Sequence, residues 1–143
     1  MAQLHKSAVT LRIAGDDLIP EEITRLLGVP PTYSERKNQE IVGKTGRTRI
    51  AQSGMWQLRT ADREPENMDG QIHEILSQLT DDLAAWRSIA DKYNIDLFCG
   101  LFMRYGNEGL EISSQSLAAL GARGIGIGLD LYAGNDDESE TST

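Results

Sequence analysis

"ARGIGIGLDLY", residues 122–132, decides between two folds, because its glycines at 124, 126 and 128 fit either a phosphate-binding loop or a β-strand. A dinucleotide-binding loop requires a strand before the glycines and a helix after them, whose N-terminus faces the phosphate. Here the glycines follow a helical segment, and every second residue after them is apolar: Ile125, Ile127, Leu129 and Leu131. This period of two predicts a terminal strand with the apolar residues inward, and with another element packed closely on the glycines of its other face.

The first half of the chain predicts a strand, a helix and a hairpin. Residues 8–15, "AVTLRIAG", alternate like a half-buried strand. The next segment predicts a short helix that begins at Pro20 and stops at Gly28. From residue 41 to 60 we expect a hairpin with turns at 43–46 and 53–54, and with Trp56 and Leu58 on one face of its second strand.

The second half predicts one long helix between strands. Apolar residues recur at spacings of three and four over residues 70–93, with Asp69 as the N-cap. This stripe comprises Ile72, Ile75, Leu76, Leu79, Leu83, Trp86, Ile89 and Tyr93. Residues 94–105 are apolar on both alternating faces, which is typical of a central strand covered on both sides, with Cys99 as a buried structural thiol. A second short helix lies within 113–121.

These elements predict an α+β fold with a mixed, largely antiparallel sheet, one long and two short helices, and ferredoxin-like character. We expect one domain over residues 1–133, since 143 residues are enough for a single hydrophobic core. Residues 134–143 carry four acids, no bases and no apolar residue, and this composition predicts a disordered acidic tail.

The charge pattern bears on partners. The net charge is −8, yet residues 34–49 carry five bases and two acids. An acidic chain disfavours nucleic-acid binding through a broad basic face, while a local anion contact of the 36–49 segment stays open. No apolar run approaches the roughly 18 residues of a membrane span, and the first residues lack the apolar core of a secretory signal. We therefore expect a cytoplasmic protein with no membrane association.

Motifs for catalysis fail on spacing. "GKT" at residues 43–45 lacks the glycine that a P-loop places five residues earlier, where Asn38 stands. His73 precedes a glutamate without a second histidine four residues on, so no zinc-protease signature exists. We therefore assign no catalytic residue, cofactor or metal. The candidate binding residues are Asp16, Asp17, Arg47, Arg49, Trp56 and His73.

Five segments in order resemble one family, the bacterial domain of unknown function 4279 family. They are "VTLRIAGDDLIPEEITRLLGVPPT", "GMWQLRT", "IHEILSQL", "LFCGLFM" and "GLEISSQSLAALGARGIGIGLDLY", spanning about residues 8 to 132. The resemblance implies a small uncharacterised bacterial protein with a mixed α+β fold. The family has no established reaction or cofactor, so the resemblance supplies no catalytic residue. The recurring positions it matches are Leu11, Gly15, Leu27, Gly28, Pro31, Thr32, Trp56, His73, Leu76, Gly100 and Tyr132.

Two functions remain in competition. The absence of a catalytic motif and the acidic charge favour a non-catalytic protein-binding module, immunity-like or regulatory, with a basic protein as partner. The alternative is a small-molecule-binding or enzymatic domain with a pocket near Trp56 and His73. A homo-oligomer formed through an exposed strand edge is compatible with either function.

Overall fold

A computed structural model describes residues 2–134 of the chain. Four helices and nine strands follow one another in this range. The helices are α1 (Pro20–Leu27), α2 (Met68–Gln78), α3 (Leu83–Ala90) and α4 (Ser114–Ala122). The strands are β1 (Ala2–Gln3), β2 (Lys6–Gly15), β3 (Tyr33–Glu35), β4 (Glu40–Val42), β5 (Thr48–Ile50), β6 (Gly54–Arg59), β7 (Asn94–Phe102), β8 (Glu108–Gly109) and β9 (Gly126–Tyr132).

A five-stranded mixed sheet in the order β3-β6-β2-β7-β9 organises the fold. The pairs β3–β6, β6–β2 and β2–β7 are antiparallel, and β7–β9 is parallel with α4 as its connection. Two small two-stranded sheets, β1–β8 and β4–β5, complete the strand pairing of the described residues. The predicted α+β class and mixed, largely antiparallel sheet are confirmed. Ferredoxin-like character is not confirmed.

The helices cover one face of this sheet. On β2 every second residue, including Val9, Leu11 and Ile13, is buried against the helices, as the alternation predicted. The other face of β7 is only half-buried: the Arg12 guanidinium lies 4.4 Å from the centre of the Phe98 ring, and Tyr132 stacks on Phe102. The neighbours of β7 are strands, as predicted. The expectation that both faces are covered is wrong, because on this second face the aromatic rings are shielded by side chains of the adjacent strands and not by a further layer.

The predicted long helix is two helices. Leu79 is extended (φ −107°, ψ 160°), and α3 starts afresh where the Asp82 carboxylate accepts a hydrogen bond from the N–H of Ala84. The N-cap of α2 is Asn67 and not Asp69, since the Asn67 side chain accepts from the N–H of Gly70. Leu83, expected in the buried stripe, is exposed. The other residues of the stripe are buried or half-buried on both sides of the break, so their spacing did not reveal where the backbone turns.

Helix α1 and the first turn of the predicted hairpin are confirmed. Pro20 is the first residue of α1, and Gly28 adopts φ 99°, the left-handed conformation that glycine takes without strain. Strands β4 and β5 pair across residues 43–47. Strand β6 does not pair with them, because it lies inside the large sheet between β2 and β3, with Trp56 and Leu58 buried on one face.

Strand β9 confirms the strand prediction for residues 125–132 and corrects its packing. Ile125 is buried, but Leu129 and Leu131 are 53% and 61% exposed, because β9 is the edge of the sheet and no helix covers its second half. A Cβ at Gly126 or Gly128 would meet its nearest neighbours at 4.0 and 3.8 Å, which is ordinary contact. The expected close packing on these glycines is therefore wrong. The predicted acidic tail, apart from Gly134, lies outside the described residues.

Candidate functional site

Trp56 is a core residue. Its side chain is fully buried, and its indole N–H donates to the Thr24 hydroxyl of α1 at 3.1 Å. The pairing satisfies the polar atom of an otherwise apolar side chain, which is the usual arrangement for a buried tryptophan. Trp56 and His73 therefore do not line one pocket, since His73 is exposed on α2.

Arg47 and Arg49 lie on the exposed β4–β5 hairpin. Arg47 accepts the turn hydrogen bond of Gly43 through its backbone oxygen, whereas Arg49 forms an ion pair with Glu35 on β3. The hydrogen bond from Arg49 lowers the pKa of the Glu35 carboxyl despite its partial burial, and the Tyr33 hydroxyl contributes in the same direction. Arg49 thus fixes the base of the hairpin, and Arg47 remains an exposed cation at its turn.

Asp16 and Asp17 occupy the loop after β2. Both are exposed and line a shallow depression with Lys92 and Tyr93, and Asp16 Oδ2 lies 3.8 Å from Lys37 Nζ. The six candidate residues are therefore distributed over the core, the hairpin, the β2–α1 loop and α2. That these six residues take part in binding stays a prediction.

A groove of about 590 Å³ lies between α2 and α4. Asp69 connects the start of α2 to the start of α4: its carboxylate oxygen accepts from the backbone N–H of Ser113 at 3.0 Å and from the Ser116 hydroxyl at 2.9 Å. These hydrogen bonds lower the pKa of Asp69, and the one from the Ser113 backbone contributes most. The groove follows both helices away from this Asp69 clamp. Its lining comprises Ile72, His73, Leu76, Ser77, Leu79, Thr80, Asp81, Gln115, Ser116, Ala119 and Arg123.

Arg123, which sequence reasoning missed, follows α4 and lines the groove. Its Nη1 donates to the carbonyl of Ala119 at 3.0 Å, while its buried Nε has no hydrogen-bond partner within the described part of the chain. A buried N–H without a partner costs about 1–3 kcal/mol, so native structures rarely leave one. No sequence signal marked Arg123, because a single arginine after a helix is also an ordinary helix terminus.

Cys99 is unsuited to nucleophilic chemistry. It is fully buried on β7, and burial raises the pKa of its thiol to about 12, with a smaller contribution from Asp96. A reactive cysteine requires an exposed and easily ionised thiol. The prediction of a buried structural thiol is therefore confirmed. Within residues 2–134 no three His, Cys, Asp or Glu side chains gather in a way that could hold a metal ion.

The outer edge of β9 is the second exposed feature. The Tyr132 carbonyl accepts from Met103 N on the β7 side, so the backbone groups of the alternate residues Ile127, Leu129 and Leu131 point away from the sheet. Among the described strands none pairs with these backbone groups, and the exposed apolar side chains of Leu129 and Leu131 lie beside them. None of the helices in residues 2–134 has the length and apolar character to cross a membrane.

Comparison with known proteins gives one match. The sequence model of the family described as "Domain of unknown function (DUF4279)" matches residues 3–134. No curated protein sequence and no solved structure matches the chain.

Proposed function

The chain belongs to the DUF4279 family, whose description names no activity, and we propose that it is a non-catalytic protein-binding module of the immunity-like or regulatory kind. The observation that carries this proposal is the open edge of β9. Free backbone N–H and C=O groups along an edge strand can pair with a strand of another protein, which is a common mode of peptide recognition.

The two edges of the sheet differ in how far they are protected. Strand β3 has three residues and its exit is occupied by the β4–β5 hairpin, so it offers little pairing length. Strand β9 has seven residues and carries no proline and one charged side chain, Asp130. Proteins usually protect edges by short strands, charges or prolines. An edge that lacks most of these devices supports a role in binding.

The side chains of β9 indicate the chemistry of the partner. Leu129 and Leu131 are on one face of the edge, and Asp130 with Tyr132 is on the other. A fitting partner is an extended segment with apolar residues on the face of the leucines and a basic residue opposite Asp130. The net charge of −8 supports the same choice, because it attracts a basic protein over distances of about 8 Å in physiological salt.

A second copy of the chain is the competing occupant. Two antiparallel β9 strands centred on Asp130 would place equal charges opposite each other, which is unfavourable. Centring on Leu129 instead would place Asp130 opposite Gly128. Self-association is therefore restricted to particular registers, whereas a basic partner strand meets no such restriction.

Photo-crosslinking from β9 tests the proposal. A benzophenone side chain is placed at position 131, and at position 87 on α3 as the control, since Arg87 is also exposed. We expect one partner segment captured from 131 alone, and a synthetic peptide of that segment should slow hydrogen exchange at the outward amides of Leu129 and Leu131. The variant Leu129→Asn/Leu131→Asn should weaken peptide binding by about tenfold, the factor that corresponds to 1.4 kcal/mol.

Three results would contradict this function. One is equal capture from both positions, and another is a captured peptide that leaves exchange at the β9 amides unchanged. The third is capture of the chain itself with a doubled mass in light scattering, which would make β9 a homodimer interface.

A further inference from the structure

Two charged side chains line the groove near the C-terminal ends of α2 and α4. Arg123 and Asp81 both line it, yet neither forms an ion pair with the other or with any other residue in 2–134. Within those residues the Arg123 guanidinium donates one hydrogen bond, from Nη1 to the Ala119 carbonyl. Its Nε is buried and out of reach of a ligand, so the Nη groups are the donors that a ligand can meet. A guanidinium has five N–H donors in a planar fork that suits a carboxylate. This end of the groove therefore offers a cation and an anion that remain available to a ligand.

The wall between α2 and α4 is apolar. Ile72 and Leu79 are buried, Leu76 is half-buried, and Ala119 faces them from α4. The small side chain at position 119 keeps the groove wide at this level. A volume of about 590 Å³ is within the roughly 300–1,000 Å³ of small-molecule sites, which combine apolar walls with a few fixed polar groups.

We propose that the groove binds a free α-amino acid with an apolar side chain. Arg123 donates hydrogen bonds to its carboxylate, Asp81 accepts from its ammonium group, and Leu76 with Ala119 contacts its side chain. The two opposite charges of the protein match the two opposite charges of a zwitterion, whereas a simple anion would be repelled by Asp81. This inference goes beyond the protein-binding function and does not depend on β9.

Ligand analogues test the proposal on the whole protein. We expect L-leucine and L-phenylalanine at millimolar concentration to raise the thermal midpoint, because a ligand that binds only the folded state stabilises it. Isocaproate lacks the ammonium group of leucine and isoamylamine lacks its carboxylate, so each should raise the midpoint less. No rise with either amino acid, or equal rises with leucine and both analogues, would overturn the proposal.

Variants locate the site. NMR titration should give an L-leucine Kd at least about tenfold weaker for Arg123→Gln and for Asp81→Asn, which for each corresponds to 1.4 kcal/mol. Arg87→Gln, an exposed arginine of α3 outside the groove, serves as the matched control and should keep the Kd of the unchanged protein.

Arg123 also bonds the end of α4, so its replacement could unfold the protein. Ala119→Leu narrows the groove without removing that hydrogen bond and should also weaken binding. Unchanged leucine affinity in Ala119→Leu, or in a folded Arg123→Gln, would overturn the proposal. The β9 variant Leu129→Asn/Leu131→Asn should bind leucine normally, which separates this test from that of the protein-binding function.

Discussion

Gln71 should be a key residue for the position of α2 on the sheet. It is fully buried, as is Ser7 of β2, and the Ser7 hydroxyl donates to Gln71 Oε1 at 2.5 Å. The amide nitrogen of Gln71 donates in return to the carbonyl oxygens of Ser7 at 3.0 Å and Ala61 at 3.2 Å. This buried polar network connects α2, β2 and the loop before α2, and α2 supplies one wall of the groove.

The cost of removing Gln71 follows from the groups left without partners. In Gln71→Leu the two carbonyls keep other donors, since Arg63 bonds both of them. The Ser7 hydroxyl loses the only acceptor that it has within residues 2–134, and one buried donor without a partner costs about 1–3 kcal/mol. Ser7→Ala has at least a similar cost, because it leaves Gln71 Oε1 without a donor and also removes the acceptor of the Asn67 N–H. We therefore expect each single change to lower the free energy of unfolding by about 2 kcal/mol.

A double-mutant cycle measures the interaction itself. In Ser7→Ala/Gln71→Leu neither partner remains, so the total loss should be below the sum of the single losses by about 1–2 kcal/mol. Urea unfolding with a constant m-value is the assay. Gln78→Leu, at an exposed glutamine of the same helix, is the control and should stay within about 0.5 kcal/mol of the unchanged protein. Single losses that add within about 0.5 kcal/mol would refute the reasoning.

Three further predictions concern other parts of the fold. The Cys99 thiol has a folded pKa of about 12 against an ordinary 9.0, so the free energy of unfolding should fall as pH rises between these values. Because the thiol is buried, it should react with a thiol reagent only on unfolding, and fast labelling of the folded protein would contradict this. Because the pKa of Asp69 is lowered from its ordinary value of 3.8, its hydrogen bonds should stabilise the fold above pH 3.8, and this stability is lost as pH falls through the folded pKa. Asp69→Asn should therefore reduce the fall of the urea midpoint at acidic pH, and an unchanged fall would contradict the role of the clamp. Gly54→Ala should destabilise strongly, because its Cβ would lie 2.5 Å from a backbone oxygen, while Gly128→Ala should leave the thermal midpoint nearly unchanged; similar losses at both positions would show that close packing occurs at β9 as well.

The apolar stripe over residues 70–93 shows what sequence periodicity can and cannot predict. Spacings of three and four correctly selected Ile72, Ile75, Trp86 and Ile89 as buried. They did not reveal the break, because burial continues on both sides of it. The break depends on tertiary contacts around Thr80, whose backbone N–H donates to the Leu27 carbonyl and whose carbonyl accepts from the Trp86 indole.

The groove could be anticipated only in part. His73 was selected from the sequence, but its expected neighbour Trp56 lies in the core. The groove needs α4 beside α2, two helices separated along the chain by strand β7, and no spacing within either helix encodes that contact. Arg123 and Asp81 carry no local signal, so their shared position follows from packing alone.

Strand β9 shows most clearly which features the local sequence determines and which depend on the tertiary structure. Alternation and segment order in residues 122–132 were sufficient to establish a strand and to reject a phosphate loop, because period two and the position of a helix are local properties of the chain. The order of the strands decided that β9 is an edge, with Leu129 and Leu131 exposed and no close neighbour at its glycines. An apolar residue is buried only where another element covers it, and that cover depends on residues distant in the sequence.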